Sequence, residues 1–157
     1  MVKYQLDDKD KKILMILQKN ARETLTNMSR NVGLSVDAVH NRIKKMVEHG
    51  IFSQTININP RAIGYPIICE TKVRLKDASL KDAEVFDKYL KNSPHIIEAF
   101  HIIGDWDYTI VFIAKDTIDL GNIMQDVRFQ FNKIIADWRS VTNLSDIKFE
   151  EYDMMKL

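Results

Sequence analysis

Between positions 35 and 45 the chain brings together a hydroxyl, an imidazole, an amide and two ammonium groups, on Ser35, His40, Asn41, Lys44 and Lys45. Side chains of these types read nucleic acid. Asn can bond adenine through two hydrogen bonds, and Lys reaches guanine acceptors or phosphate. Arg22 and Arg30, a little upstream, add candidate phosphate contacts, as does Lys45. Arg42 lies close to an apolar stripe, where it is better placed to fix the fold or touch a DNA backbone than to read a base. Each of these charges also fits an ordinary solvated helix face. Phosphate contacts, if made, imply an affinity that falls steeply with salt.

A second group of interest is Gly104-Asp105-Trp106-Asp107. Exposed backbone N–H groups in such a loop can hold a carboxylate, and Asp105 or Asp107 can pair with an ammonium. The plain alternative is a Gly-Asp turn with a packed indole. Other chemistry is scarce. His40, His49, His95 and His101 form neither an HExxH pattern nor a close His/Cys set. The single cysteine, Cys69, excludes an intrachain disulfide and a cysteine-only metal site, and its apolar surroundings read as those of a buried thiol. No Gly-rich phosphate loop or nucleophile elbow is present, so the sequence implies no catalytic residue, metal or cofactor.

The elements that must position these groups can be read from periodicity. Residues 22–51, RETLTNMSRNVGLSVDAVHNRIKKMVEHGI, give two short amphipathic helices around Val32-Gly33-Leu34-Ser35. Gly33 allows a tight turn and Ser35 is a natural N-cap for the helix that ends at Gly50. In that helix Val36, Val39, Ile43 and Met46/Val47 form the stripe to be buried. A preceding helix is predicted over 7–18, with Asp7 and Asp8 at its positive end, and a short one over 26–31. Three helices in so short a span, the last two joined by a tight turn, make a compact DNA-binding unit. Phe52, Ile56 and Ile58 then alternate with Ser53, Thr55 and Asn57, predicting a strand closed by Asn59-Pro60. Gly64-Tyr65-Pro66 reads as a semi-rigid hinge.

From position 67 the pattern predicts strand (67–75), helix (79–91), strand (96–103), strand (108–114), helix (117–135) and strand (141–149). The order βαββαβ is the ferredoxin-like plan, a four-stranded antiparallel sheet with helices on one face. Residues 108–114 are apolar on both faces: Ile110 and Phe112 alternate with Val111 and Ile113. Helices cover only one face, so a second copy of the sheet is the expected cover for the other.

Composition agrees. A hydrophobic content of 45% supports a folded core. The length of 157 residues allows one domain of ordinary size or two small ones. The net charge of +1 conceals an asymmetry: residues 1–66 hold 11 Lys and Arg against 6 Asp and Glu, whereas residues 67–157 hold 12 against 16. A basic front joined to an acidic back fits a polyanion bound by the first half alone. The N-terminal MVKYQLDDKDKK lacks the apolar centre of a leader and no apolar run reaches membrane-span length, so a cytoplasmic protein without a membrane partner is expected.

Taken together, the chain resembles the Lrp/AsnC family, the feast/famine regulators, from Leu6 to about Tyr152. The matching stretches are Leu6-Asp7-Asp8-Lys9-Asp10 with Ile13-Leu14 and Leu17-Gln18; Asn20-Ala21-Arg22; Val32-Gly33-Leu34-Ser35; Val39 with Arg42-Ile43; Glu48-His49-Gly50-Ile51; Asn59-Pro60 with Gly64; and Gly104-Asp105-Trp106-Asp107-Tyr108. The order and spacing of the set carry the likeness. His40-Asn41 is idiosyncratic, Met28 and Ser29 replace commoner residues, and the stretch 141–152 fits the pattern poorly.

The resemblance implies an α+β protein. An N-terminal helix-turn-helix (winged-helix-like) domain spans 1–50, a linking strand and hinge 51–66, and a ferredoxin-like effector-sensing and oligomerisation domain 67–157. It further implies a transcription regulator of double-stranded DNA that responds to an amino acid or related metabolite, forms a homodimer, and can assemble to a tetramer or octamer. The effector site falls at Gly104, Asp105, Trp106 and Asp107. Two other readings stand beside it. One is an architectural DNA-binding protein without effector control. The other is an enzyme like the sirohaem decarboxylases, whose His-Asn-Tyr stretch is replaced here by Ile97-Glu98-Ala99-Phe100-His101-Ile102.

Overall fold

The computed structural model describes residues 4–157; the first three residues of the expected DNA-binding segment lie outside them. The chain divides into two compact units, residues 1–57 with 147–157, and residues 58–146.

The first unit is helical. Helix α1 (Asp8–Lys19) starts at Asp7, whose carboxylate accepts the Asp10 N–H, while the Asp10 side chain accepts the Asp7 N–H in return, a reciprocal cap. Helix α2 (Leu25–Val32) is capped by Thr24 and ends at Gly33, whose φ of +65° is the left-handed conformation that glycine adopts without cost. Helix α3 (Val36–Glu48) is capped by Ser35, as its sequence predicts. Ile13, Met28, Val32, Val39 and Met46 form the centre of this unit, with Leu25 and Ile43 packed against it. Val36 and Val47, expected on the buried stripe, are instead exposed at the two ends of α3. Tyr152 completes the unit from the far end of the sequence: Gln18 donates to its carbonyl at 3.0 Å and accepts its N–H at 2.9 Å. Residues 147–157, placed by the sequence with the sensing domain, therefore group with the helices.

The predicted strand at 52–58 does not form. Those residues have no strand partner, and Ile56 and Ile58 are exposed. A 3-10 turn at Pro60–Ile63 follows, and Arg61 donates to the carbonyls of Pro66 (2.6 Å), Asn143 (3.0 Å) and Leu144 (3.1 Å).

The second unit has the expected βαββαβ order: β1 (Ile67–Leu75), α4 (Leu80–Asn92), β2 (Ile96–His101), β3 (Tyr108–Ala114), α5 (Thr117–Gln130) and β4 (Ile135–Thr142). The strands lie antiparallel in the order β2-β3-β1-β4. Cys69, Val73, Tyr108, Ile110 and Phe112 face Phe86 and Leu90 of α4 and Val127 of α5, forming one core. Thr71, fully buried in the same layer, shares a hydrogen bond of 2.9 Å with Ser140, which satisfies both hydroxyls. Two expectations are corrected. Helix α5 ends at Gln130 rather than continuing to 135, and the last strand runs over 135–142 rather than 141–149. The pairing of Val73 with Trp138 and of Thr71 with Ser140 sets that register, since it packs Trp138, partly buried, beside Phe112.

Candidate nucleic-acid interface and sensor hairpin

The N-terminal turn of α1 holds α3, the helix that carries the candidate contact residues. Arg42 donates to Asp7 at 2.7 Å and to Asp10 at 2.8 Å. Asp10 is buried and also accepts the Tyr4 hydroxyl at 3.2 Å, so its carboxylate is spanned by donors from three parts of the unit. The Asp10 N–H and the Arg42 guanidinium hold the Asp7 carboxyl below the ordinary aspartate value. The Asp10 and Asp7 carboxylates in turn keep the Arg42 proton more tightly bound. Arg42, one of the candidate DNA contacts, has its charge engaged by Asp7 and Asp10 within the fold.

Lys9 makes a second tie. Its ammonium donates to the Val32 carbonyl at the end of α2 and lies 3.5 Å from where a Cβ on Gly33 would stand. A cation at a helix C-terminus meets the negative end of the helix dipole. The Tyr4 ring lies tilted, 4.9 Å from the His49 ring, and His49 bonds the Lys45 carbonyl at 2.8 Å, closing the far end of α3. The sequence contained Lys9 and Asp10 only as parts of a charged run; the one available signal was Asp7 and Asp10 at capping-box spacing.

What remains outward on α3 is the candidate interface. His40, Asn41, Lys44 and Lys45 are all exposed. Ser35 is exposed too, with its oxygen engaged by the Ala38 N–H at 3.2 Å and its hydroxyl hydrogen free to donate. Asp37 and Glu48 share this surface, and Lys44 leans 3.9 Å from Glu48. Arg22 and Arg30 are exposed beside α2. The helix therefore offers an amide, an imidazole and two ammonium groups between two carboxylates, a mixture that favours selective contact over simple attraction to phosphate.

In the second unit residues 102–107 form the turn between β2 and β3. Gly104 has φ +138°, a conformation open to glycine alone at little cost. Asp107 is structural: its N–H donates to the Val73 carbonyl at 3.0 Å, and its carboxylate accepts the Leu75 N–H at 2.6 Å. Asp105 is exposed, and its carboxylate has no hydrogen-bond or ion-pair partner among the described residues. Trp106 folds back on two guanidiniums, Arg74 at 5.0 Å and Arg139 at 5.9 Å from its ring. Of the four hairpin candidates, Asp107 is engaged with β1, whereas Asp105 is exposed and Trp106 partly exposed. The sheet face carrying Arg74 is the one opposite the helices. On it Ile68, Val111 and Ile113 gather with Tyr65, while Phe100 and Val141 are more than half exposed.

Away from this hairpin, Tyr108 donates to Asp87 at 2.8 Å and His101 meets the same carboxylate at 3.1 Å. Burial and Asp87 push the Tyr108 phenol well above its ordinary value, which keeps it a donor. No cluster of His, Cys, Asp and Glu suited to a metal is found among the described residues, and no helix there is long and apolar enough to cross a membrane.

Comparison with known proteins places these features. Residues 6–47 match the family model of the AsnC-type helix-turn-helix domain. The chain is 36% identical over 123 residues to the HTH-type transcriptional regulator FL11 of Pyrococcus furiosus, covering 78% of this chain and 80% of that one. It is 30% identical over 122 residues to the regulatory protein AsnC of Haemophilus influenzae, covering 77% and 80%. Among solved structures, a transcriptional regulator of Neisseria meningitidis in complex with L-methionine superposes with a TM-score of 0.82 at 25% identity, covering 92% of this chain and 94% of that one. The Escherichia coli AsnC structure shares the fold with a TM-score of 0.83 at 23% identity, covering 96% and 99%.

Proposed function

The chain belongs to the Lrp/AsnC family of transcriptional regulators, and on that footing we propose that it binds a specific double-stranded DNA operator through α3 and responds to an amino acid or related metabolite through its sheet domain. The observation that carries this is the AsnC-type helix-turn-helix with His40, Asn41, Lys44 and Lys45 outward on a helix that Arg42 locks from behind. The relatives bear the names of regulators and not of enzymes. Amino-acid sensing is supported by the L-methionine complex of the Neisseria protein and by the Asp105–Trp106 surface.

Residues 1–50 read DNA in this proposal, 51–66 link, and the sheet domain senses and assembles. The apolar face of Ile68, Val111, Ile113, Phe100 and Val141 supports a homodimer built sheet to sheet, with dimers joining into tetramers or octamers. A dimer presents two recognition helices to a pseudo-palindrome whose half-sites lie about 10 bp apart, or a multiple of it. An effector acts only if it binds one arrangement of the subunits more tightly than the other. The protein acts in the cytoplasm, where its DNA lies.

The test is selection of bound duplexes from a random pool, followed by footprinting. A pseudo-palindromic consensus with half-sites at helical spacing is expected. Equal recovery of all sequences would reject operator recognition.

A further inference from the structure

We propose that Asp37, in the first turn of α3, is a specificity-determining residue that accepts a hydrogen bond from the exocyclic amine of a cytosine in the operator half-site, close to an adenine met by Asn41. The proposal rests on the reading of α3 as the helix that enters the major groove, and it specifies part of what that helix selects.

Helix geometry decides which side chains lead. Val39 and Met46 are fully buried and define the line along which α3 packs on its own unit. At about 100° per residue, Asp37, Asn41, Lys44 and Glu48 fall within roughly 30° of the opposite line. His40 and Lys45 lie to its two sides, about 70° away, towards the phosphate walls of a groove that α3 enters. Base contacts in a helix-turn-helix come chiefly from the N-terminal part of the second helix. Of the four leading residues, Asp37 and Asn41 stand in the N-terminal half of α3, and both are exposed.

Charge is what makes Asp37 selective. A carboxylate on the leading line is repelled by a polyanion, so it weakens binding to DNA in general. Arg42 does not offset it, because Asp7 and Asp10 hold that guanidinium. Glu48 stands at the other end of the helix with Lys44 3.9 Å away. The Asp37 carboxylate has no ion-pair or hydrogen-bond partner among the described residues. In the major groove a carboxylate finds a donor only at the amines of cytosine and adenine, since guanine and thymine present acceptors or a methyl group. Adenine sets its N7 lone pair beside the amine, which suits the mixed amide of Asn41 and repels an anion. Cytosine offers its N4 amine with no acceptor beside it on that base. Asp37 and Asn41 are four residues apart, about 6 Å along the helix. That distance is roughly two base-pair steps of about 3.4 Å, so the cytosine and the adenine lie within about two steps of each other. The competing role for Asp37 is internal, since an acid in the first turn meets the positive end of the α3 dipole.

The test is selection of bound duplexes from a random pool by the full native chain, by Asp37→Asn and by Asn41→Ala. Fluorescence anisotropy then measures each protein on the selected duplex, on its single-base variants and on an unrelated duplex. The native consensus should hold a cytosine within two steps of an adenine. Asp37→Asn should lose the preference for that cytosine alone, by roughly tenfold, because an amide can also donate to guanine or thymine. Its affinity for the unrelated duplex should rise a few-fold at low salt, since an anion facing the phosphates is gone. Asn41→Ala should lose the adenine alone. Because Asp37 is exposed, Asp37→Asn should melt close to the native temperature. If Asp37→Asn keeps the whole consensus, or if the consensus has no cytosine at that spacing, the proposal is overturned while operator recognition stands. A lowered melting temperature with equally weakened binding to every duplex would assign Asp37 to the helix dipole and overturn the proposal as well. Equal recovery of all sequences by the native chain would reject both the proposal and operator recognition.

Discussion

Arg42 of α3 and Asp10 of α1 meet at 2.8 Å, joining a partly exposed cation to an aspartate that is 2% exposed. Removing the arginine would leave that carboxylate buried beside Asp7 with no cation. Arg42→Ala should therefore cost about 2–4 kcal/mol in urea unfolding. Replacing both partners, Arg42→Met with Asp10→Leu, should recover only part of the loss: no buried charge is then left alone, but the Asp7 N–H and the Tyr4 hydroxyl lose their acceptor.

Asp7 gives this clamp a pH dependence with a defined sign. Its folded pKa lies below the ordinary value of 3.8, so its contribution is present above that value and is lost as pH falls through the lower folded pKa. Asp7→Asn keeps a capping oxygen and loses the charge. Its deficit in melting temperature should be full at neutral pH and should shrink as the solution is acidified below about 4.

On the outward face, Asn41→Ala with Lys44→Ala should weaken operator binding, and the lysine change should also reduce the slope of log affinity against log salt by roughly one. Unchanged affinity would show that α3 is not the reading helix. Glu48→Gln frees Lys44 and removes a carboxylate from the surface proposed to meet phosphate. Binding should tighten by a few-fold at low salt, about the scale of a single exposed ion pair. Fluorescence anisotropy with a labelled duplex reads all three.

The hairpin acids should separate by role. Asp107→Ala leaves the Leu75 N–H without its acceptor at the bulge in β1, so it should lower stability by about 1–2 kcal/mol whatever it does to signalling. Asp105→Ala should leave the melting temperature nearly unchanged and alter the effector response. A stable Asp107→Ala protein would show that the turn does not depend on that carboxylate.

For assembly, Val141→Glu places a charge on the open sheet face at a position 57% exposed in the single chain. The chain should fold normally yet sediment as a monomer where the native protein sediments as a dimer or larger. A variant of unchanged mass would exclude the sheet face as the subunit contact.

Much of this was legible where a local signal coincides with a tertiary one. Residues 67–75 alternate cleanly and form β1 over that very range. Ser35 caps α3 because its neighbours already favour the helix. The errors arise where the local signal is only half of the cause. Residues 52–58 carry strand periodicity, but a strand requires a partner and the single chain supplies none there. The run Phe131 to Trp138 is apolar enough to continue a helix and has no Gly or Pro to stop it; pairing with β1, invisible locally, makes it a strand from Ile135 onward. Arg42 could be suspected from its place beside the stripe. Lys9 and Asp10 could not, because their partners Val32 and Arg42 are met only once three helices have come together.

The return of residues 147–157 to the helical unit makes that unit discontinuous in sequence. A protease cut within the exposed 53–57 stretch would break the covalent link between the helices and the rest of the chain. The Tyr152 end of the polypeptide would nevertheless keep hold of Gln18 through its two hydrogen bonds. The two fragments should then co-elute as a nicked complex, and they should part only when the tail beyond 146 is trimmed as well.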